Sequence, residues 1–527
     1  MNQQRVHFLW VRAVAAAAVA VRAFAADPQT DSPFEQTAWT TPPNAVDEAV
    51  LTRLRAERVE PARPCSDAVF IRRVYLDVLG TLPTAAEVEA FLADSASGKR
   101  AALIDAVLAR PEYADYAALR WCDILRVKAE FPINLWPNAV QAYHRWVRDA
   151  FARNMPYDQF ARALLTSSGS NFRVPPVNFY RAIQGREPAA RAAAVALTFL
   201  GARIETWPTE RRVGLEALLS RVAYKTTAEW KEEIVFLDPA PADPLEAVLP
   251  DGSRVVVPPG TDPRRVLADW LIRSDNPWFA RAAVNRVWAW LLGRGIVHEP
   301  DDFRPDNPPS NPELLAVLER EFVATGYDLR QLHRLILNSR TYQQSARPAR
   351  PAADAAALFA SYPVRRLDAE VLIDALCQVF GGGESYTSPI PEPFTIIPEE
   401  QRTITLADGS ITSPFLELFG RPPRDTGLMS ERNNQLTAAQ RMHLLNSSHV
   451  QKRIDGSARL RDLLARHRGD RAGLVRALYL TLLSRPPTSA ELATATEYLA
   501  GGGAPSRAAV NDLAWALVNT KEFLYRH

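Results

Sequence analysis

One unit of sequence occurs twice, near either end of the chain, and commits both ends to helices. RRVYLDVLGTLPTAAEVEAFLA at 72–93 returns as RALYLTLLSRPPTSAELATATEYLA at 476–500. Tyr75, Leu79, Pro83, Thr84 and Glu87 answer Tyr479, Leu483, Pro487, Thr488 and Glu491. In each copy the threonine and the glutamate three residues on have the spacing of a capping box, in which hydroxyl and carboxylate take up backbone donors that the first helical turn leaves without partners. Each copy leads into another amphipathic stretch with related aromatic endings, LARPEY at 108–113 and VNTKEF at 518–523. The pattern is that of a duplicated helical module.

The same three- and four-residue apolar spacing recurs at 46–60, 68–79, 85–93, 99–109, 138–152 and 157–166, and residues 263–345 are again strongly helical. Between these halves, AVLPDGSRVVVPP places β-branched residues on either side of a Pro250-Asp251-Gly252-Ser253 turn, which predicts a small hairpin. A second hairpin is expected at RTITLADGSIT, 402–412, around Asp408 and Gly409, and RPARPAADAAA at 347–357 reads as a connector. With 527 residues and 47% apolar content the chain can bury two cores. The expected fold is mainly α: two helical domains with one or two small β-hairpins. The expected organisation is a signal peptide at 1–25, a flexible lead-in at 26–44, an N-terminal helical domain at 45–240, a hairpin and linker at 241–262 and a C-terminal helical domain at 263–527.

The start, MNQQRVHFLWVRAVAAAAVAVRAFA, has Arg5 and Arg12 ahead of an apolar Ala13 to Val21 run, and Ala23 and Ala25 flank Phe24 as an A-x-A cleavage signal. The run is far short of the roughly 20 residues that span a bilayer. Cleavage after Ala25 and a soluble, exported chain, periplasmic or extracellular, are therefore expected, with a retained anchor as the alternative because Arg22 interrupts the signal. Taking Arg5, Arg12 and Arg22 from the 62 basic residues leaves 59 against 60 acidic ones. No dense basic run marks a nucleic-acid footprint, so nucleic acid is excluded as a partner. Cys65, Cys122 and Cys377 allow at most one disulfide, and their spacing excludes a C-x-x-C zinc knuckle and a C-x-x-C-H haem site.

Three constellations are candidates for chemistry. In NRVWAWLLGRGIVHEPDDFRPDNPPSNPELL, 285–315, a helix stops near Gly293 and an acidic loop carries His298, Glu299, Asp301, Asp302, Asp306 and Asn307. These carboxylates suit a hard cation or an acid and base pair. Equally, Asn311 before Pro312 is a good N-cap, and Asp301 and Asp302 can cap turns or pair with Arg286, Arg294 or Arg304. In RPPRDTGLMSERNNQLTAAQRMHLLNSSHV, 421–450, Arg421, Arg424, Asp425, Glu431 and Arg432 precede a helix capped by Thr437. They form either an anion-recognition network or a loop clamp. The third is the tryptophan set Trp121, Trp136, Trp146, Trp278, Trp288 and Trp290, suited to sugar stacking where exposed and to core packing where, as at Trp288 and Trp290, the helix is apolar. No G-x-S-x-G, H-E-x-x-H, Walker loop or G-x-G-x-x-G is present, and His333 and His443 stand singly in helical stretches.

DAVFIRRVYLDVLGTLPTAAEVEAFLAD with LIDAVLARPEYADYAALRWCDILRV resembles the planctomycete secreted cytochrome-associated domain, domain of unknown function fifteen-forty-nine. The 264–345 block, with NPWFARAAVNRVWAWLLGRGIV, DDF, NPPSNPELL and LILNSRTYQQS, resembles the planctomycete secreted domain that follows it, fifteen-fifty-three, and the 415–450 and 474–525 segments continue it. The resemblance implies an exported protein and, in the first family, a C-x-x-C-H-like motif between a helix ending F-L-G-x-R and W-K-E-E-I-V. Here AAAVALTFLGAR and WKEEIV flank IETWPTERR, and no Cys or His occurs between 145 and 297. Asn311 also stands where the second family has His. No cofactor and no metal are expected. The leading reading is a non-catalytic binding or scaffold component, with a secreted or envelope protein or a glycan as partner. The alternative is a hydrolase of polysaccharide or its esters, using Asp301, Asp302 and Glu431 as catalytic residues and Arg286, Asn307, Arg421, Arg424 and Arg432 for binding. A haem electron carrier is the third.

Overall fold

The computed structural model describes residues 32–239, 243–350, 355–398, 400–501 and 505–527. The signal peptide expected at 1–25 and the first residues of the expected lead-in lie outside the described residues. The chain is mainly helical, with three small antiparallel sheets among the described residues.

Both copies of the repeated unit fold alike. Helix Asp67–Val78 ends in a left-handed residue, Gly80, and Thr84 and Glu87 close a capping box on helix Ala85–Ala93. Helix Arg471–Leu483 ends in left-handed Ser484, and Thr488 and Glu491 close the same box on helix Ser489–Ala500. Helices Lys99–Leu108 and Pro111–Ile124, the latter with proline in its first turn, follow in the first copy, and helices Arg507–Val518 and Lys521–Leu524 follow in the second. The copies touch: buried Arg72 donates from Nη1 to the Leu482 carbonyl at 2.9 Å and from Nη2 to that of Phe523 at 3.1 Å.

The helices expected at 46–60, 138–152 and 157–166 are Ala45–Ala56, Pro137–Ala152 and Tyr157–Thr166. The Pro250–Ser253 turn joins antiparallel Leu245–Val248 and Arg254–Val257, with Val248 opposite Arg254. Asp251 fixes it by accepting from the Ser253 amide at 2.9 Å and from Trp270 Nε1 at 2.8 Å. The hairpin expected at 402–412 does not form. Asp374 accepts the amides of Thr403 and Ile404 at 2.7 and 3.1 Å, which winds Thr403–Thr405 into a short 3-10 turn. Thr412 forms an isolated bridge with Thr387 instead. A three-stranded sheet absent from the sequence expectations joins Gly169–Ser170, Glu233–Leu237 and Val222–Thr226, with the middle of these at the centre.

Two hydrophobic cores hold the molecule. The first draws mostly on residues from Val46 to Tyr362, on both sides of the 241–262 hairpin, and adds Ile390, Ala407 and Leu480. The second gathers residues between Leu367 and Phe523 around Leu76, Leu82, Tyr116 and Leu119 of the first module. The described part of the lead-in makes contacts with the helical body. Gln36 donates its amide to the Pro64 carbonyl at 2.9 Å, Thr41 Oγ1 donates to Gln343 at 2.7 Å, and Arg340 lies over the Trp39 ring. Among the described residues no helix is long and apolar enough to cross a membrane.

Candidate functional site

Asp301 and the 421–432 segment meet. Helix Phe279–Leu292, stopped by left-handed Gly293, presents Arg286 inward, where its Nε and Nη2 reach Asp301 Oδ1 at 3.0 and 2.8 Å. The other Asp301 oxygen accepts the Met429 amide at 2.6 Å. Arg286 also donates to the carbonyls of Leu197 and Thr198 in the π-helical turn Ala196–Leu200, so the pair ties three segments together. Arg286 is fully buried and Asp301 nearly so.

The remaining acidic-loop residues serve the loop itself. Asp302 pairs with Arg304 at 3.0 Å, and Asn307 Nδ2 donates to the Asp302 carbonyl at 2.9 Å. Asn311 caps helix Pro312–Ala324 by accepting the Leu314 amide at 3.0 Å, as its place before Pro312 predicts. Glu431 bends back to accept the amides of Asp425 and Thr426, which closes its own loop. Thr437 forms a capping box with Gln440.

The arginines of this segment enter a buried ion-pair network. Arg432 reaches Glu370 at 2.7 Å and Asp123 at 2.6 Å, and Arg424 reaches Asp123 at 2.9 Å and the Ala407 carbonyl at 2.8 Å. Arg421 donates to the carbonyls of Ile411 and Asp408. The network continues through Asp368, which pairs with Arg120 at 2.6 Å and Arg526 at 3.0 Å, to Asp77, which takes Arg526 at 2.9 Å and Arg365 at 2.8 Å. Burial alone would raise the Asp368 carboxyl; Arg120, Arg526 and Arg432 reverse this and hold it well below its ordinary value. The same balance, with Arg432 and Arg424 against burial, lowers Asp123. Charges taken out of water and matched this closely fix relative placement, and stripping one partner leaves the other stranded. Sequence pattern suggested Arg421, Arg424 and Arg432 as a network; it missed Asp77, Asp123 and Arg526, each alone in its own segment, and Asp368 and Glu370, which start one helix far from the arginines in sequence.

Of the tryptophans, Trp121 and Trp288 are buried, and Trp290 meets Trp121 edge-on at 5.5 Å. Trp146 stacks on Phe160 at 4.9 Å. Trp136 alone of the six gathers with exposed rings, those of Trp230 and Phe394.

Cys65, Cys122 and Cys377 are free thiols, with burial pushing Cys122 up to about 12 and Cys377 up to about 11. Among the described residues no group of three or more His, Cys, Asp or Glu side chains is placed to hold a metal ion. Haem attachment does not fit the segment that follows the π-helical turn: Ile204–Thr206 and Trp207 present neither thiol nor imidazole.

Helices packed over two cores and clamped through buried arginine–carboxylate pairs define a mainly helical protein whose polar interior joins its segments. Two family models match in tandem: residues 45–207 match PSCyt2, a protein of unknown function (DUF1549), and residues 263–499 match PSD1, a protein of unknown function (DUF1553). No curated protein and no solved structure matches it.

Proposed function

We propose that the protein is a non-catalytic binding or scaffold component that works outside the cytoplasm, in the periplasm or beyond it. One observation carries the reading: of the three carboxylates nominated for acid and base work, Asp301 and Glu431 have both oxygens occupied by the chain and Asp302 pairs with Arg304. Both oxygens of Asp301 accept from Arg286 or Met429, and both oxygens of Glu431 accept backbone amides. A general acid or base needs its proton-transfer atom within reach of substrate, and here those atoms face internal donors. The location rests on the leader-like first 25 residues and on the resemblance to secreted domains.

The hydrolase reading has one observation in its favour, the contact between the acidic loop and the 421–432 segment. A panel of polysaccharides and their acyl esters separates the two. No turnover, together with retention on isolated cell-envelope material, is the expected result. Turnover that disappears in Asp302→Asn or Glu431→Gln would replace the binding component with an enzyme. Amino-terminal sequencing of the exported chain should begin at Ala26.

A further inference from the structure

Three loops from distant parts of the sequence converge on a surface cluster of aromatic rings. Trp136 and Trp230 meet edge-on with centroids 4.8 Å apart, and Phe394 lies 5.5 Å from the first and 5.1 Å from the second. Trp230 and Phe394 are 58% and 45% exposed; the Trp136 loop also carries Phe131 and the Phe394 loop Ile396, at 76% and 71%. Exposed apolar area of this kind usually marks an interaction site.

The cluster holds a cation. Lys231 Nζ sits 4.9 Å from the Trp136 centroid and 5.8 Å from that of Trp230. The carboxylates beside it are engaged elsewhere: Glu229 pairs with Arg173, and Glu232 accepts from Ser170 and Thr227. Lys231 itself makes no ion pair among the described residues. Its charge is thus held against ring faces with no counter-ion among the described residues.

The backbone is committed to this display. Trp136 adopts φ 71°, ψ 147°, a conformation suited to glycine, and Lys231 is left-handed at φ 61°. The strain is held in place by the Trp136 amide on the Ala129 carbonyl at 3.2 Å and by Asn171 Nδ2 on the Lys231 carbonyl at 3.2 Å. Trp230 is more than half exposed and Phe394 nearly half, so much of each ring is open to solvent.

We propose that Trp136, Trp230, Phe394 and Lys231 form a docking platform for an acidic polysaccharide. The pyranose faces stack on Trp230 and Phe394, and a sugar carboxylate pairs with Lys231. The occupant follows from charge and size. The ammonium, unpaired among the described residues, asks for an anion, the flat rings ask for a flat apolar face, and three rings cover one or two sugar units. A stable protein interface needs about 800 Å² from each partner.

This inference rests on the binding reading above, and the two fail separately. Turnover on the glycan panel sinks the binding reading, whereas a chain retained on envelope material that ignores acidic glycans sinks only the platform. The test is titration of the full chain with polygalacturonate and with a neutral β-glucan, read by calorimetry and tryptophan emission. Expected are binding of polygalacturonate with a change in emission, and a loss of about tenfold or more in Trp230→Ala and in Phe394→Ala, equivalent to one 1.4 kcal/mol step. Lys231→Gln should weaken polygalacturonate about tenfold and remove most of its salt dependence, leaving any β-glucan binding unchanged. Far-UV circular dichroism should be the same in all three variants, because the substituted side chains are exposed. The proposal is overturned if polygalacturonate does not bind, or if the variants bind it as the parent does. It is overturned equally if phosphatidylglycerol vesicles or a polyglutamate peptide bind the platform in its place.

Discussion

In the N-terminal copy of the repeated module Arg110 ties the capping-box Glu87 to Glu112, at 2.8 and 2.7 Å; in the C-terminal copy Arg485 ties Glu491 to Glu522, at 2.7 and 2.6 Å. A tyrosine ring backs each guanidinium, Tyr75 in one and Tyr479 in the other. Yet the arginines do not occupy matching positions. Aligning GTLPT with SRPPT puts Thr81 opposite Arg485, and aligning LARPEY with VNTKEF puts Thr520 opposite Arg110. Arginine and threonine have exchanged places, so what the two copies share is an arrangement of charges in space. They differ in depth. The Arg485 side chain is 5% exposed and that of Arg110 33%, because Phe34 of the lead-in lies over Arg485 and meets His527 edge-on.

The largest break in this comparison should come from Arg485→Met. It strands two carboxylates whose side chains are 14% and 10% exposed, a loss of about 3–5 kcal/mol in denaturant unfolding at neutral pH. A loss below 1 kcal/mol, the order found for surface pairs, would show that the deep clamp is no stronger than the shallow one. Acid titration gives the sign. Burial raises the Glu491 carboxyl, but the Arg485 bonds and charge outweigh it, leaving the pKa below the ordinary 4.5. The contribution is therefore complete above that value and is lost as pH falls through the depressed one. Parent stability should drop on acidification below pH 4.5, and Arg485→Met should drop less.

Moving the arginine sharpens the comparison. Arg485→Thr with Thr520→Arg rebuilds the N-terminal arrangement at the C-terminal site, and the double variant should recover about 1–2 kcal/mol of the single loss as pair coupling. Recovery is incomplete because Thr520 caps its helix by accepting the Phe523 amide at 3.2 Å, a bond worth about 1 kcal/mol. Arg110, in the matching place, makes no side-chain cap. If the double variant is no more stable than Arg485→Thr alone, the exchange of positions is not equivalent.

The capping boxes themselves should not distinguish the copies. Thr84→Ala and Thr488→Ala each remove an acceptor for an amide three residues on, at 3.2 and 3.3 Å, and each should lower stability by about 1 kcal/mol. Unequal losses would mean that the depth of the neighbouring clamp reaches the cap.

What the sequence discloses here follows the reach of each interaction. The boxes join residues three apart and the Pro250–Ser253 hairpin joins adjacent strands, so their residue types declare them. The arginine exchange hides from alignment because each position mismatches while the geometry matches. Asp374 undoes the expected 402–412 hairpin from 29 residues away. Arg424 finds Asp123 across 301 residues, so the loop network was legible while its partners were not. Trp136 could be recognised as a possible sugar-stacking residue, but Trp230 and Phe394, which give it a platform, come from segments whose own patterns suggest nothing of the kind.

The smallest effect belongs to Arg110→Met. Its guanidinium and both partners, Glu87 and Glu112, are between 23% and 35% exposed, so water already solvates the ions and screening weakens their attraction. Removal should lower stability by about 0.5 kcal/mol in dilute buffer, and the difference from the parent should vanish in about 1 M salt, where the Debye length is about 3 Å. Arg485→Met should keep most of its loss in the same salt, because its carboxylates are shielded by protein rather than by ions. Equal salt sensitivity at the two sites would mean that Phe34 does not seal the C-terminal clamp, and the difference in depth between the copies would carry no energetic weight.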